Sequence, residues 1–319
     1  MWRLTSWACP SPFNSAELKG AELKSSNQNW PVLKFMHDID IDYLKQWEGK
    51  QETHEDVISL ATARAMAATL DWEQVPEGGE VLAKPWHWLH FLPSARQSDI
   101  SRDGHPKKGG FLPPVPLPRR MWASGKVNFV SDLHIGDSVK KVSTVRSVAH
   151  KQGGSGHLVF VTVGHEIYSG DTLAISEDQN LVYREDPDPN APPPKPMSPP
   201  AEAEFSREVL PDPVLLFRFS ALTFNSHRIH YDRDYAVNEE GYAGLVVQGP
   251  LSASLLLDLV RSEIPDATIK HYDYRAVRPL IDGNPFQIQG CRSDDGLKLW
   301  AVDHQGAMTM QATLTVSAD

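Results

Sequence analysis

The chain has 319 residues, room for about two domains, and its 40% apolar and 23% charged content is that of a folded globular protein. No apolar run reaches the roughly 18 residues of a membrane helix, which excludes a helical membrane-spanning protein. Lys plus Arg number 31 against 41 Asp plus Glu, and a net charge of −10 spread along the chain argues against a duplex nucleic-acid binder; an anion in a local basic pocket stays open.

Residues 1–35 lack the long apolar core of a secretory signal, and organised sequence is expected from Phe35-Met36-His37-Asp38 onward, with 1–35 a disordered extension. Thr53 with Asp56 reads as a capping-box-like start for a helix from Val57 to Leu70. A Pro/Gly-rich stretch runs from Asp103 to Arg120, followed by Val130, Leu133 and Gly136 and a strand-like run, Leu158-Val159-Phe160-Val161-Thr162-Val163. These elements make a first domain over 36–185. Residues 186–213 hold ten of the 25 prolines and predict an extended linker.

The second domain, 214–319, opens with an apolar, strand-like run from Val214 to Leu222. Gly249-Pro250 then starts a helix, since Pro at the first helical position gives up a donor that would be unpaired anyway. That helix, Leu251 to Val260, is apolar almost all round and is expected to be buried on every side. Val277, Leu280 and Gly283 repeat the spacing of Val130, Leu133 and Gly136, and Leu297-Lys298-Leu299-Trp300-Ala301-Val302 follows as a strand. A helix with a curved antiparallel sheet, twice over, predicts an α+β fold of two similar halves, an arrangement that matches the description of a double hot-dog. Cys9 and Cys291 sit in no CxxC pattern, so a disulfide framework and a structural zinc site are excluded and a reducing, cytoplasmic setting is expected.

The densest polar cluster is Thr223-Phe224-Asn225-Ser226-His227-Arg228-Ile229-His230-Tyr231-Asp232, just before Gly244-Leu245-Val246-Val247-Gln248-Gly249-Pro250. His227 and His230 invite a metal reading, but no third ligand stands nearby in sequence and no zincin glutamate follows, so no metal is expected. The alternative is that these histidines cap turns or pair with Asp232 and Asp234.

The segment Phe224 to His230 resembles the motif of MaoC-like (R)-specific enoyl-CoA hydratases, Gly-Asp-x-Asn-Pro-aliphatic-His, with His230 and Ile229 in register. Asn225 stands in place of the family's aspartate, His227 in place of its asparagine and Arg228 in place of its proline. The runs Asp103-Gly104-His105-Pro106 and Gly110 to Trp122 are similar to one branch of the superfamily. That branch carries an N-terminal dehydratase-like domain and includes itaconyl-CoA and mesaconyl-C4-CoA hydratases and mitochondrial-type 3-hydroxyacyl-thioester dehydratases.

The resemblance implies a cofactor-independent lyase adding water to a short α,β-unsaturated acyl-CoA, most closely mesaconyl-CoA or itaconyl-CoA. A 3-hydroxyacyl-ACP dehydratase and a non-catalytic acyl-thioester-binding protein are the alternatives. Hydration needs a base for water, a proton for the α-carbon and a stabiliser for the enolate oxygen. His230 suits the first, because an imidazole titrates near neutrality; Asn225 cannot be a base but could orient water or the imidazole. The Gly249 N–H at the positive end of the second helix suits the enolate. Arg228 is expected to meet a substrate carboxylate, with His227, Gln248 and Arg278 as further substrate contacts. One site per chain is expected, the first half shaping the acyl pocket, with acyl-CoA as partner, neither nucleic acid nor membrane, and a homodimer admitted.

Overall fold

The computed structural model describes residues 39–153, 156–186 and 195–317; the expected extension over 1–35 lies outside the described residues. Ten strands form one sheet: β1 (Gln51–Val57), β2 (Arg119–Phe129), β3 (Ser138–Gly153), β4 (Gly156–Ser169), β5 (Thr172–Arg184), β6 (Phe205–Val209), β7 (Thr268–Ala276), β8 (Phe286–Ser293), β9 (Gly296–Val302) and β10 (Met308–Ser317). Their order is β1-β3-β4-β5-β2-β7-β10-β9-β8-β6, so the first five strands and the last five repeat one arrangement and meet at the β2–β7 seam. At that seam Gly125 faces Tyr274, and a Cβ on Gly125 would lie 2.1 Å from the Tyr274 hydroxyl. Glycine there lets the phenol cross from one half into the other.

Among the described residues four α-helices accompany the sheet: α1 (Ile41–Lys45), α2 (Leu60–Thr69), α3 (Pro213–Leu222) and α4 (Gly249–Glu263). The predicted buried helix is α4, with Leu251 to Val260 buried throughout. Its one carboxylate in that span, Asp258, is satisfied by Trp72 Nε1 at 2.7 Å, Arg207 at 2.6 Å and Arg261 Nε at 3.0 Å. A buried carboxylate is tolerated only when its oxygens find such donors.

Three expectations about local structure are corrected. Thr53, Asp56 and Val57 belong to β1, and α2 begins after Ser59, whose hydroxyl accepts from Thr62 N at 3.3 Å. Val214 to Leu222 is helical rather than extended: Asp212 caps it through Leu215 N at 2.8 Å and Pro213 takes the first turn. A short apolar run without alternation suits a strand or a buried helix equally, and here the Asp-Pro start decides. Within the expected 186–213 linker, residues 187–194 lie outside the described residues, while Phe205–Val209 pairs with β8 as an edge strand.

The internal repeat is real but aligned differently from the sequence reading. Leu82 N donates to Leu133 O at 2.7 Å and Val247 N to Leu280 O at 2.9 Å, so the two matched turns hold equivalent segments. The bridges Val81–His134 and Val246–Ile281 fix the same equivalence. Both α2 and α3 follow the first strand of their half, and they touch. The 3₁₀ turn Trp86–Leu89 therefore stands where α4 begins in the second half, and among the described residues the first half has no long central helix.

Polar groups fill that space. Glu177 on β5 is 3% exposed and accepts from Trp88 Nε1 at 3.0 Å and Tyr274 OH at 3.3 Å, with His87 Nε2 at 3.1 Å. Burial alone would raise its carboxyl; the bond and charge of His87, then His165 and Trp88, hold it below the ordinary value. The Trp86-to-His90 cluster is thus core. Glu177→Ala leaves three buried donors without an acceptor and should lower unfolding stability by about 3–5 kcal/mol, read from urea denaturation midpoints.

Candidate active site

The chain leaves α3 through Thr223, whose hydroxyl bonds Phe219 O at 2.8 Å, and Phe224, whose φ of 48° turns the backbone sharply. Asn225 Oδ1 then accepts from His227 N at 3.0 Å, closing an Asx turn. A 3₁₀ turn, Arg228–His230, delivers His230 into the interior, where it is 7% exposed. Val246 N donates to Ile229 O at 2.9 Å and His230 Nδ1 meets Val246 O at 2.7 Å. A carbonyl can only accept, so the proton sits on Nδ1 and Nε2 carries a free lone pair. Val246 lies three residues before Gly249, the first residue of α4. The imidazole and the helix start are therefore held by one short segment.

Gly249 lies under Trp122: a Cβ there would stand 2.7 Å from the indole, which stacks on Tyr274 at 4.4 Å. Among the described residues the Gly249 N–H has no hydrogen-bond partner.

The first half reaches into this site. Arg228 N donates to Asp103 O at 2.8 Å and Ser226 Oγ to Gly104 O at 2.6 Å, clamping the 101–106 loop onto the turn before His230. Asp103 Oδ2 holds His105 Nδ1 at 2.9 Å. The His105 ring lies 4.0 Å from that of His227, which lies 5.4 Å from that of His230. The expected candidates lie in the second half, with the first half shaping the acyl pocket; the structure also brings Asp103 and His105 of the first half beside His227. The Asp-Gly-His run was visible in the sequence, but nothing local tied it to residues more than a hundred positions away.

Burial pushes His230 down to about 4 against a partial lift from the Val246 carbonyl, so its base form prevails at neutral pH. Burial also lowers His227, and the charges of His105 and His230 add to it. His105 is lowered by burial and lifted in part by Asp103. Burial disfavours the Asp103 carboxylate, yet the bond and charge of His105 outweigh it and hold the group well below the usual carboxylate range. His165, in the first half, is likewise driven to about 4 by burial.

For His165 and His230 the folded value lies below the unfolded one of about 6.5. Their contribution is complete above that pH and is lost as pH falls toward about 4, because the unfolded chain takes up the protons. Urea midpoints measured from pH 7.5 down to 4.5 should fall continuously across this window.

The other predicted residues are placed as follows. Asn225 spends its carbonyl on His227 N, and among the described residues its side chain makes no hydrogen bond to an imidazole. Arg228 is engaged by Asp232 at 2.7 and 3.0 Å and stacks 4.0 Å over Tyr235, so it is not free for a substrate carboxylate. Asp232 accordingly serves Arg228 and Tyr235 N rather than a histidine. Gln248 is fully buried and donates to Leu216 O and Ser220 Oγ, both at 2.9 Å, which ties α4 to α3. Arg278 pairs with Asp303 at 3.7 Å and makes no contact with the histidine cluster. Donor atoms of Asp103, His105 and His227 do lie within 4.8 Å of one another, the grouping that the sequence alone did not offer. The charges of Lys108 and Arg120 bear on the same groups and oppose a cation there.

The hydroxyacyl-thioester dehydratase type 2 family model matches residues 85–282, more than half of the chain, including Asp103, His105, His230 and Gly249. The chain belongs to this family. A mesaconyl-C(4)-CoA hydratase of Chloroflexus aurantiacus is 47% identical over 275 residues, 84% of this chain and 96% of the relative. Among solved structures, a MaoC-like dehydratase from Phytophthora capsici superposes with a TM-score of 0.66 at 12% identity, covering 88% of this chain and 98% of its own. A double hot-dog protein of Mycobacterium tuberculosis gives 0.53 at 12% identity, covering 84% and 96%. The fold is therefore the double hot-dog, and membership of the dehydratase type 2 family marks the chain as a hydro-lyase. No helix among the described residues is long and apolar enough to cross a membrane.

Proposed function

We propose that this chain is a hydratase that adds water reversibly to a short α,β-unsaturated acyl-CoA, with mesaconyl-CoA as its substrate. The observation that carries this reading is the pairing of a buried, neutral His230 with the start of α4 through the Val246 carbonyl. The 47% identity to a mesaconyl-C(4)-CoA hydratase supports the acyl group. His230 Nε2 takes a proton from water as the oxygen bonds the β-carbon. The alkene electron pair shifts toward the thioester oxygen, and the role assigned to the Gly249 N–H at the start of α4 is to stabilise it. The imidazolium then returns the proton to the α-carbon, so one water is added and His230 ends as it began. The Asp103–His105 pair supplies the anionic charge that Asn225 cannot.

Itaconyl-CoA is the second acyl group within the proposal, and a cytoplasmic homodimer its expected setting; Cys291 is a buried free thiol, as a reducing compartment allows. Initial rates of hydration of mesaconyl-CoA and itaconyl-CoA, and of dehydration of medium-chain 3-hydroxyacyl thioesters, test the reading. Fastest turnover of mesaconyl-CoA supports it. Preference for medium-chain thioesters transfers the chain to the fatty-acid dehydratase alternative, and no turnover of any leaves the acyl-thioester-binding one.

A further inference from the structure

Next to the histidine cluster lies a pocket of about 440 Å³, lined by residues of both halves that include His105, Lys108, Arg119, Arg120 and Tyr235. Four cations border it, and their partners differ. Arg102 is neutralised by Glu239 at 2.7 Å, and Arg119 by Asp186 at 2.8 Å and Glu240 at 3.4 Å. Lys108 donates to the carbonyls of Val115 at 3.1 Å and Leu117, which hold it without cancelling its charge. Arg120 has no carboxylate within ion-pair distance among the described residues. The near carboxylate, Asp103, is already spent on His105. The other carboxylates of the lining, Asp186, Glu239 and Glu240, are held by Arg102 and Arg119, so Lys108 and Arg120 are the two cations of the pocket without an ion pair among the described residues.

A half-buried guanidinium without a counter-ion is costly unless a ligand brings one, and its planar fork suits a carboxylate. We infer that Arg120, seconded by Lys108, is a subsite for the free carboxylate of a dicarboxylic acyl group, and so sets substrate choice. The inference rests on the hydratase reading for the position of the thioester. It replaces Arg228, whose charge Asp232 already meets. The subsite adjoins the reacting imidazoles, whereas the phosphates of CoA are separated from the reacting carbons by the whole pantetheine arm; the acyl carboxylate is therefore the anion that fits.

The test compares mesaconyl-CoA with crotonyl-CoA, which lacks the second carboxylate, on wild type, Arg120→Gln and Arg120→Lys. The ratio of kcat/KM for the two thioesters should fall about 100-fold in Arg120→Gln and recover in part in Arg120→Lys. An unchanged ratio overturns the subsite. A matched set of N-acetylcysteamine thioesters, which carry no phosphate, distinguishes the anions: losses confined to the CoA thioesters would make Arg120 a phosphate contact and overturn the inference. Calorimetric Kd values for the two CoA thioesters on the same proteins do not depend on turnover. If wild type turns over neither, yet binds mesaconyl-CoA in preference and loses that preference in Arg120→Gln, the subsite stands and the hydratase reading falls. Equal binding of the two by wild type sinks the subsite.

Discussion

His230→Ala should cut hydration of mesaconyl-CoA by about 10²–10⁴-fold, the contribution of a positioned proton-transfer group. The carbonyl of Val246 fixes the proton on Nδ1, leaving Nε2 as a base with one orientation. Because burial lowers the group to about 4, the base form persists well below neutrality. Loss of kcat/KM on acidification should therefore begin near pH 5, where an ordinary histidine would already be protonated. Truncation also strips Val246 O of its donor, so a stability loss of about 1–3 kcal/mol accompanies the kinetic one. Far-UV circular dichroism and a thermal melt show whether the fold survives. A folded His230→Ala protein that keeps a tenth or more of the wild-type rate would remove His230 from the chemistry.

Much of the second half was legible because its signals are local. Gly249-Pro250 marks a helix start, the leucines after it demand burial on all sides, and α4 obeys both. The repeat of Val-Leu-Gly spacing was legible too, since both copies make the same turn after β2 and β7; Gly136 and Gly283 both sit at positive φ. What misled was the choice of partner for α2. Its real counterpart, α3, hides in a run that reads as a strand, while the counterpart of α4 has shrunk to the turn at Trp86–Leu89. A missing helix leaves no periodicity to detect. The polar filling around Glu177 reads in sequence as unrelated Trp, His and Tyr residues on three separate segments.

The site divides along the same line. His230 and Gly249 lie in one continuous stretch, so spacing and residue type bring them together as candidates. Asp103 and His105 could not be attached to them, since their connection is a tertiary contact onto backbone carbonyls of the loop: Arg228 N donates to Asp103 O, and the Ser226 hydroxyl to Gly104 O. Residue type alone also cannot tell a free arginine from a paired one. Arg228 and Arg120 look alike in sequence, yet one faces Asp232 and the other lacks a carboxylate partner among the described residues.

Gly104→Ala should disable the enzyme without touching any group that exchanges a proton. Its φ is +93°, and a Cβ there would lie 1.7 Å from the Ser226 carbonyl oxygen, which is backbone and cannot rotate away. The loop has to lift, and Asp103 and His105 move with it away from His227. Left-handed backbone strain in a non-glycine residue costs about 1–2 kcal/mol, and the clash adds a penalty of similar size. Gly136→Ala separates the two effects: φ there is +106° with nothing within 4 Å of the added methyl. Both variants should melt earlier, Gly104→Ala the more so. Turnover of mesaconyl-CoA should drop at least tenfold in Gly104→Ala and stay near wild type in Gly136→Ala. Parallel losses in both would mean that strain alone, and not docking of the Asp103–His105 loop, governs activity; full activity in Gly104→Ala would detach that loop from the site.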